Sequence, residues 1–194
     1  VIAERGGARS AARAILAAGL GLAALAGCAN SGDSSSPKIE PSSTPSTAKV
    51  TPPAQVPESQ QRDRDGAAAF TEYWFATLSY AVQTGNVDQL QKASSDACSA
   101  CRQAISVIQD NYNDGGSLQG GLYTIRDANT YEDFAKDVMS VAVSYDRSPR
   151  QGSSPLGVPR GRLDGKSFAD CDVRVQWTTG GWKVRGIDSA DQIV

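Results

Sequence analysis

The sequence predicts an α+β fold, and three observations predict it. Apolar residues recur at helical spacing between about residues 66 and 111, they alternate with polar ones from residue 138 onward, and Gly115 and Gly116 stand where one period gives way to the other. Helices followed by a run of antiparallel strands place an apolar first helix against the concave side of a curved sheet.

The first helix is expected over residues 66–84. Phe70, Trp74, Thr77, Leu78 and Ala81 recur on one side, and Glu72, Ala76, Ser79 and Gln83 form the thin opposite stripe. Gly85 is placed to end it. Asn86, with Gln89 three positions later, signals a short second helix through Ala93. A third helix over residues 99–111 carries Ala104, Ile105 and Ile108 on its apolar side. Beyond the glycines, Met139, Val141, Val143 and Tyr145 alternate with Val138, Ser140, Ala142 and Ser144. Later, Cys171, Val173, Val175 and Trp177 alternate with Asp170, Asp172, Arg174 and Gln176. Gly180 and Gly181 supply a hairpin turn into a strand at residues 183–187, and a shorter strand around residues 122–126 completes the sheet.

Upstream of this domain the chain changes character twice. Residues 1–27 have a basic start with Arg5, Arg9 and Arg13, then an apolar run over residues 14–26, then small residues. That is the layout of an export signal, and the apolar run is shorter than the ~20 residues needed to span the bilayer core. Val1 in place of Met predicts a GTG initiator read literally, or a start truncated in the sequence. Leu25-Ala26-Gly27-Cys28 resembles the bacterial lipobox. The resemblance implies a diacylglyceryl group on the Cys28 thiol, cleavage after Gly27, and acylation of the freed amine. Residues 28–65 then hold six of the nine prolines among many Ser and Thr, a composition that forms no core and predicts a disordered tether. Its Ser and Thr are also candidate glycosylation sites. Residues 66–194 are enough for one domain with one core.

Ala69-Phe70-Thr71-Glu72-Tyr73-Trp74, Thr84-Gly85-Asn86, Cys98-Ser99-Ala100-Cys101 and Gly181-Trp182-Lys183-Val184, in that order after a lipobox, carry a further likeness. The domain resembles the nuclear-transport-factor-2-like (NTF2-like, or cystatin-like) roll. More narrowly, the chain is similar to DUF6318, a family of uncharacterised actinobacterial lipoproteins. The resemblance implies a fold and an address on the outer face of the cytoplasmic membrane, and it brings no activity with it.

Cys98 and Cys101 are the obvious disulfide couple in an exported domain. The reading as a local staple at the start of the third helix competes with a redox-active Cys-x-x-Cys. Cys171 sits on the apolar face of its strand, and its pairing with Cys98 or Cys101 stays open. Three cysteines without histidine make a poor zinc set. The chain has no histidine at all, which excludes Ser-His-Asp and Cys-His catalysis and leaves Tyr with carboxylate as the remaining proton chemistry.

Tyr73, Trp74, Tyr80, Tyr123 and Trp177 are candidates to line a pocket between helix and sheet, with Tyr145 beside them. The segment 147–164 is long for a connection, and Arg147, Arg150, Arg160 and Arg162 in it are candidates to touch anionic headgroups or phosphate-bearing wall polymer. Removing residues 1–27 leaves 16 basic against 20 acidic residues, which makes nucleic acid an unsuitable partner.

The expectation is therefore a membrane-anchored, non-catalytic binding or accessory module facing the envelope, with no cofactor, no metal and no catalytic residue. Its partner is an envelope protein or a small apolar ligand. The alternatives are an isomerase or dehydratase using Tyr and Asp, and a thiol oxidoreductase at Cys98 and Cys101.

Overall fold

The structure, a computed structural model, describes residues 50–135 and 137–188, apart from the side chains of residues 132–134. The export signal, Cys28 and the tether as far as residue 49 lie outside the described residues. Among the described residues, no helix is long and apolar enough to cross a membrane.

Helix α1 (Arg64–Thr84) starts at Asp63, whose carboxylate accepts a hydrogen bond from Gly66 N at 2.7 Å and satisfies a donor that the helix start leaves open. The predicted apolar side is buried, and Thr71, Phe75 and Val82 are buried as well, so beyond the first turn the exposed residues are Glu72, Ala76 and Gln83. Burial of Thr71 and Thr77 is tolerated because their hydroxyls donate to Ala67 O and Trp74 O, both at 2.8 Å. Gly85 ends the helix with φ at 74° and donates its N–H to Ala81 O. Helix α2 (Asp88–Ala93) follows, with Asn86 Oδ1 accepting from Asp88 N at 3.0 Å, and then α3 (Ser99–Asn113).

Among the described residues, seven strands make two antiparallel sheets. Strands β2 (Tyr123–Ala135), β3 (Val138–Arg147), β6 (Lys166–Thr178) and β7 (Gly181–Asp188) form the larger, in that order. Strands β1 (Ser117–Gly120), β4 (Arg150–Ser153) and β5 (Pro159–Leu163) form the smaller, in the order β1-β4-β5. The smaller sheet prolongs the larger one. Gly120 pairs with Arg150 where Tyr123 pairs with Arg147, and Arg150 pairs with Leu163 where Arg147 pairs with Lys166. Pro149 stands between the paired segments and offers no N–H to a ladder. Gly120, with φ at 71°, lies so close to Pro149 O that a Cβ would stand 2.0 Å from it. Phe70, Phe75 and Leu78 of α1 join Val141, Val143, Val173, Val175 and Val184 of the larger sheet in one core.

Three expectations change. The strand set around residues 122–126 runs on to Ala135, because register shifts after Ile125, Thr130 and Asp133 break its alternation while its pairing with β3 continues. The segment 147–164 is not an unstructured loop, since it holds β4 and β5. The folded unit also begins before Gly66. A 3-10 turn at Pro57–Gln60 buries Ser59, and Trp182 Nε1 donates to Gln61 O at 2.7 Å. The last residues assigned to the tether therefore belong to the domain.

Candidate functional site

None of the five aromatics expected around a pocket lines any of the three cavities described between or beside the elements. Trp74 is fully buried, and its Nε1 donates to Ser94 Oγ at 2.9 Å, while that hydroxyl donates to Leu90 O at 2.7 Å. Phe75 lies edge-on to Trp74 at 5.2 Å between ring centres and packs on Tyr145 at 4.9 Å, and Tyr145 stacks on Phe168 at 4.7 Å. Tyr123 joins this column against both Phe75 and Tyr145 at 5.7 Å. These rings pack on one another between helix and sheet. Tyr73 and Tyr80 are half-buried on α1, and Trp177 stands edge-on to Trp182. The described cavities are lined by other residues. Inward periodicity identified the aromatics as interior, but it could not say that their volumes would close the gap.

Burial pushes the Tyr123 phenol up to about 12, a shift that the charges of Arg147 and Arg150 and a hydrogen bond from Arg147 only partly offset. The charged groups acting on it are arginines. Of the acids considered from the sequence, Glu72 and Asp170 are exposed, and Asp172 is half-buried on the opposite face of β6 from Cys171.

Cys98 and Cys101 are joined by a disulfide that closes the first turn of α3. Both residues are fully buried, and Cys98 Sγ accepts from Cys101 N at 3.2 Å. Cys171 is outside that bridge. It is buried on β6 opposite Val143, with its Sγ 3.9 Å from Asp188 O, which closes the alternative pairings. Among the described residues, no group of three or more His, Cys, Asp or Glu is placed to hold a metal ion.

The four arginines of the predicted surface loop separate into two kinds. Arg147 is buried, with its guanidinium 5.4 Å over the Phe168 ring and Nη2 donating to Asp164 O at 3.3 Å, so it is withdrawn from any surface contact. Arg150 is half-buried. Its Nη1 is sealed from solvent with no hydrogen-bond partner among the described residues, and burial holds its pKa below the usual arginine value.

Arg160 and Arg162 are exposed on β5. Arg160 pairs with Asp114, and Arg162 Nε stands 3.1 Å from Asp164 Oδ1. Arg150, Arg160 and Arg162, together with Asn111 and Gly152, line an open cavity of about 370 Å³ between α3 and the smaller sheet. Beside it, the turn from β4 to β5 carries Leu156 and Val158, which sequence reasoning passed over as loop residues. They are 91% and 58% exposed.

A family model described as "Family of unknown function (DUF6318)" matches residues 37–188. No curated protein matches the chain. Solved structures similar to it include the intermembrane space region of the chloroplast protein ARC6, at 14% identity over 65% of this chain and 95% of that one, with a TM-score of 0.48. An NTF2-like putative dehydratase from Streptomyces avermitilis matches at 10% identity over 63% and 94%, with a TM-score of 0.39. An NTF2-like protein of unknown function from Shewanella oneidensis MR-1 matches at 13% identity over 63% and 97%, with a TM-score of 0.37.

Proposed function

The chain belongs to the DUF6318 family, a family of unknown function, and on that footing we propose that it is an exported lipoprotein. In this reading it is held by acylated Cys28 at the outer face of the cytoplasmic membrane and works as a non-catalytic binding or accessory module. The observation that carries the reading is the Cys98–Cys101 bridge in the folded domain, downstream of a lipobox-like Leu25-Ala26-Gly27-Cys28. A bonded pair in so short a loop persists in an oxidising compartment, and the lipobox supplies the route to one. A non-catalytic role is supported by the aromatic column, which occupies the interior that a reaction cavity would need. The arginine-bearing hairpin borders an open cavity and presents exposed binding chemistry.

Intact-mass analysis of the protein from a membrane fraction tests the reading. The expected species lacks residues 1–27, carries a diacylglyceryl group on Cys28 and holds Cys98–Cys101 oxidised, while Cys28→Ser loses the lipid mass and leaves the membrane fraction. A cytosolic species with residues 1–27 attached and a bare Cys28 thiol overturns it.

A further inference from the structure

Among the described large apolar residues, Leu156 and Val158 are the two most exposed. They sit on a turn with its own fixed structure. Ser154 N donates to Val158 O at 2.8 Å, Gly157 N to Ser154 O at 2.9 Å, and Val158 N to Ser154 Oγ at 3.1 Å. These three bonds hold the turn, and Leu156 stands almost wholly in solvent with Val158 more than half exposed beside it. Behind the tip on β5 stand Arg160 and Arg162, and Arg150 lies across the hairpin opposite Leu163. The acidic groups facing these cations are Asp114 and Asp164, each in an exposed ion pair with one of them. Exposed pairs of this kind are weakly held and exchange readily for another anion.

An ordered apolar tip backed by arginines has the chemistry of an interfacial anchor, in which aliphatic groups enter the headgroup–acyl boundary and guanidinium groups sit level with the phosphates. We propose that the β4–β5 hairpin docks on an anionic lipid bilayer, with Leu156 and Val158 inserted and with Arg160 and Arg162 exchanging Asp114 and Asp164 for lipid phosphates. A soluble phosphate polymer would satisfy the arginines and leave Leu156 in water, so the aliphatic pair favours lipid. The inference rests on the reading of the chain as membrane-tethered, because a tethered tip meets its surface at high effective concentration and needs little intrinsic affinity.

The test uses the processed chain from position 28 with Cys28→Ser, which carries the compact unit Thr47–Val194 and no acyl group. It is sedimented with phosphatidylglycerol-containing vesicles and with pure phosphatidylcholine vesicles. Binding is expected to the anionic vesicles only and to fall as salt rises. Leu156→Ser with Val158→Ser should weaken it by roughly fivefold or more. Arg160→Gln and Arg162→Gln should each weaken it roughly fivefold. All four side chains are at the surface, so circular dichroism should be unchanged.

Absence of binding to anionic vesicles overturns the inference, and so does binding that the aliphatic substitutions leave intact. Binding lost only in the arginine variants and competed away by inorganic phosphate also overturns it, and assigns the arginines to a free phosphate source. Each of these results leaves the anchor reading standing, since that reading fails only on the mass at Cys28.

Discussion

Arg147 and Arg160 lie on one long hairpin in opposite environments. Arg147 is shut between the Phe168 ring and Asp164 O, while Arg160 reaches Asp114 at the surface. The hydrogen bond from Arg160, with a second from Gly116 N, holds the Asp114 carboxyl below the usual carboxylate range. A depressed carboxyl contributes stability that is present above the unfolded value of about 4 and is lost as pH falls through the folded one. Arg160→Gln should therefore move the Asp114 titration back toward the ordinary range, read by NMR, and an unmoved titration would dismiss the pair. Tyr123 has the opposite sign. Its phenol favours the neutral form in the folded state, so its contribution is complete below about pH 10 and is lost as pH rises through about 12. Ultraviolet phenol titration alongside unfolding at alkaline pH should show ionisation of Tyr123 and loss of structure together.

At the scale of elements, the helices were legible because each carries its own punctuation. Asn86 leads in to the second, apolar residues recur at the right period, and Gly85 or Gly115 leads out, whereas the Asp63 cap ahead of the expected start of the first went unread. The strands that were missed have no such local record. Arg150-Gln151-Gly152-Ser153 and Pro159-Arg160-Gly161-Arg162-Leu163 are strands because β1 and each other supply their hydrogen bonds, and neither carries a run of large apolar residues on one face. The continuation of β2 was hidden by bulges that shift the inward face. Gly85 offers a test of the punctuation. Its φ of 74° and a Tyr112 Cγ that a Cβ would meet at 2.5 Å act together, whereas Gly157, at 76°, has nothing within 4 Å. Gly157→Ala should cost about 1 kcal/mol of left-handed strain. Gly85→Ala should cost clearly more, compared by urea midpoint, because Tyr112 must also give way. Removing the bridge with Cys98→Ala and Cys101→Ala should cost about 2 kcal/mol, the chain-entropy value for so short a loop.

At the scale of the whole molecule, the interior was legible as a set of inward residues and illegible as a filled volume. Whether Phe75, Tyr123, Tyr145 and Phe168 leave a pocket depends on how rings from α1, β2, β3 and β6 meet, and no one segment records that. The same holds for the clasp between Gln61 and Trp182, which crosses nearly the whole described chain. A chain starting at Gly66 should melt below one starting at Val50, by about 1–3 kcal/mol for the buried donor left without its partner. Equal melting would place Pro57–Gln60 outside the cooperative unit.

The last strand is stitched back toward the start twice, through Trp182 to Gln61 and through Ser95 N to Val184 O at 2.8 Å. A polypeptide delivered head first, from a ribosome or through a membrane pore, has its helices in hand long before the piece that locks them arrives. Contacts of such long sequence separation slow the search for the native state. Until that final hairpin emerges the chain should stay loose and protease-sensitive, a state suited to passage through a narrow channel.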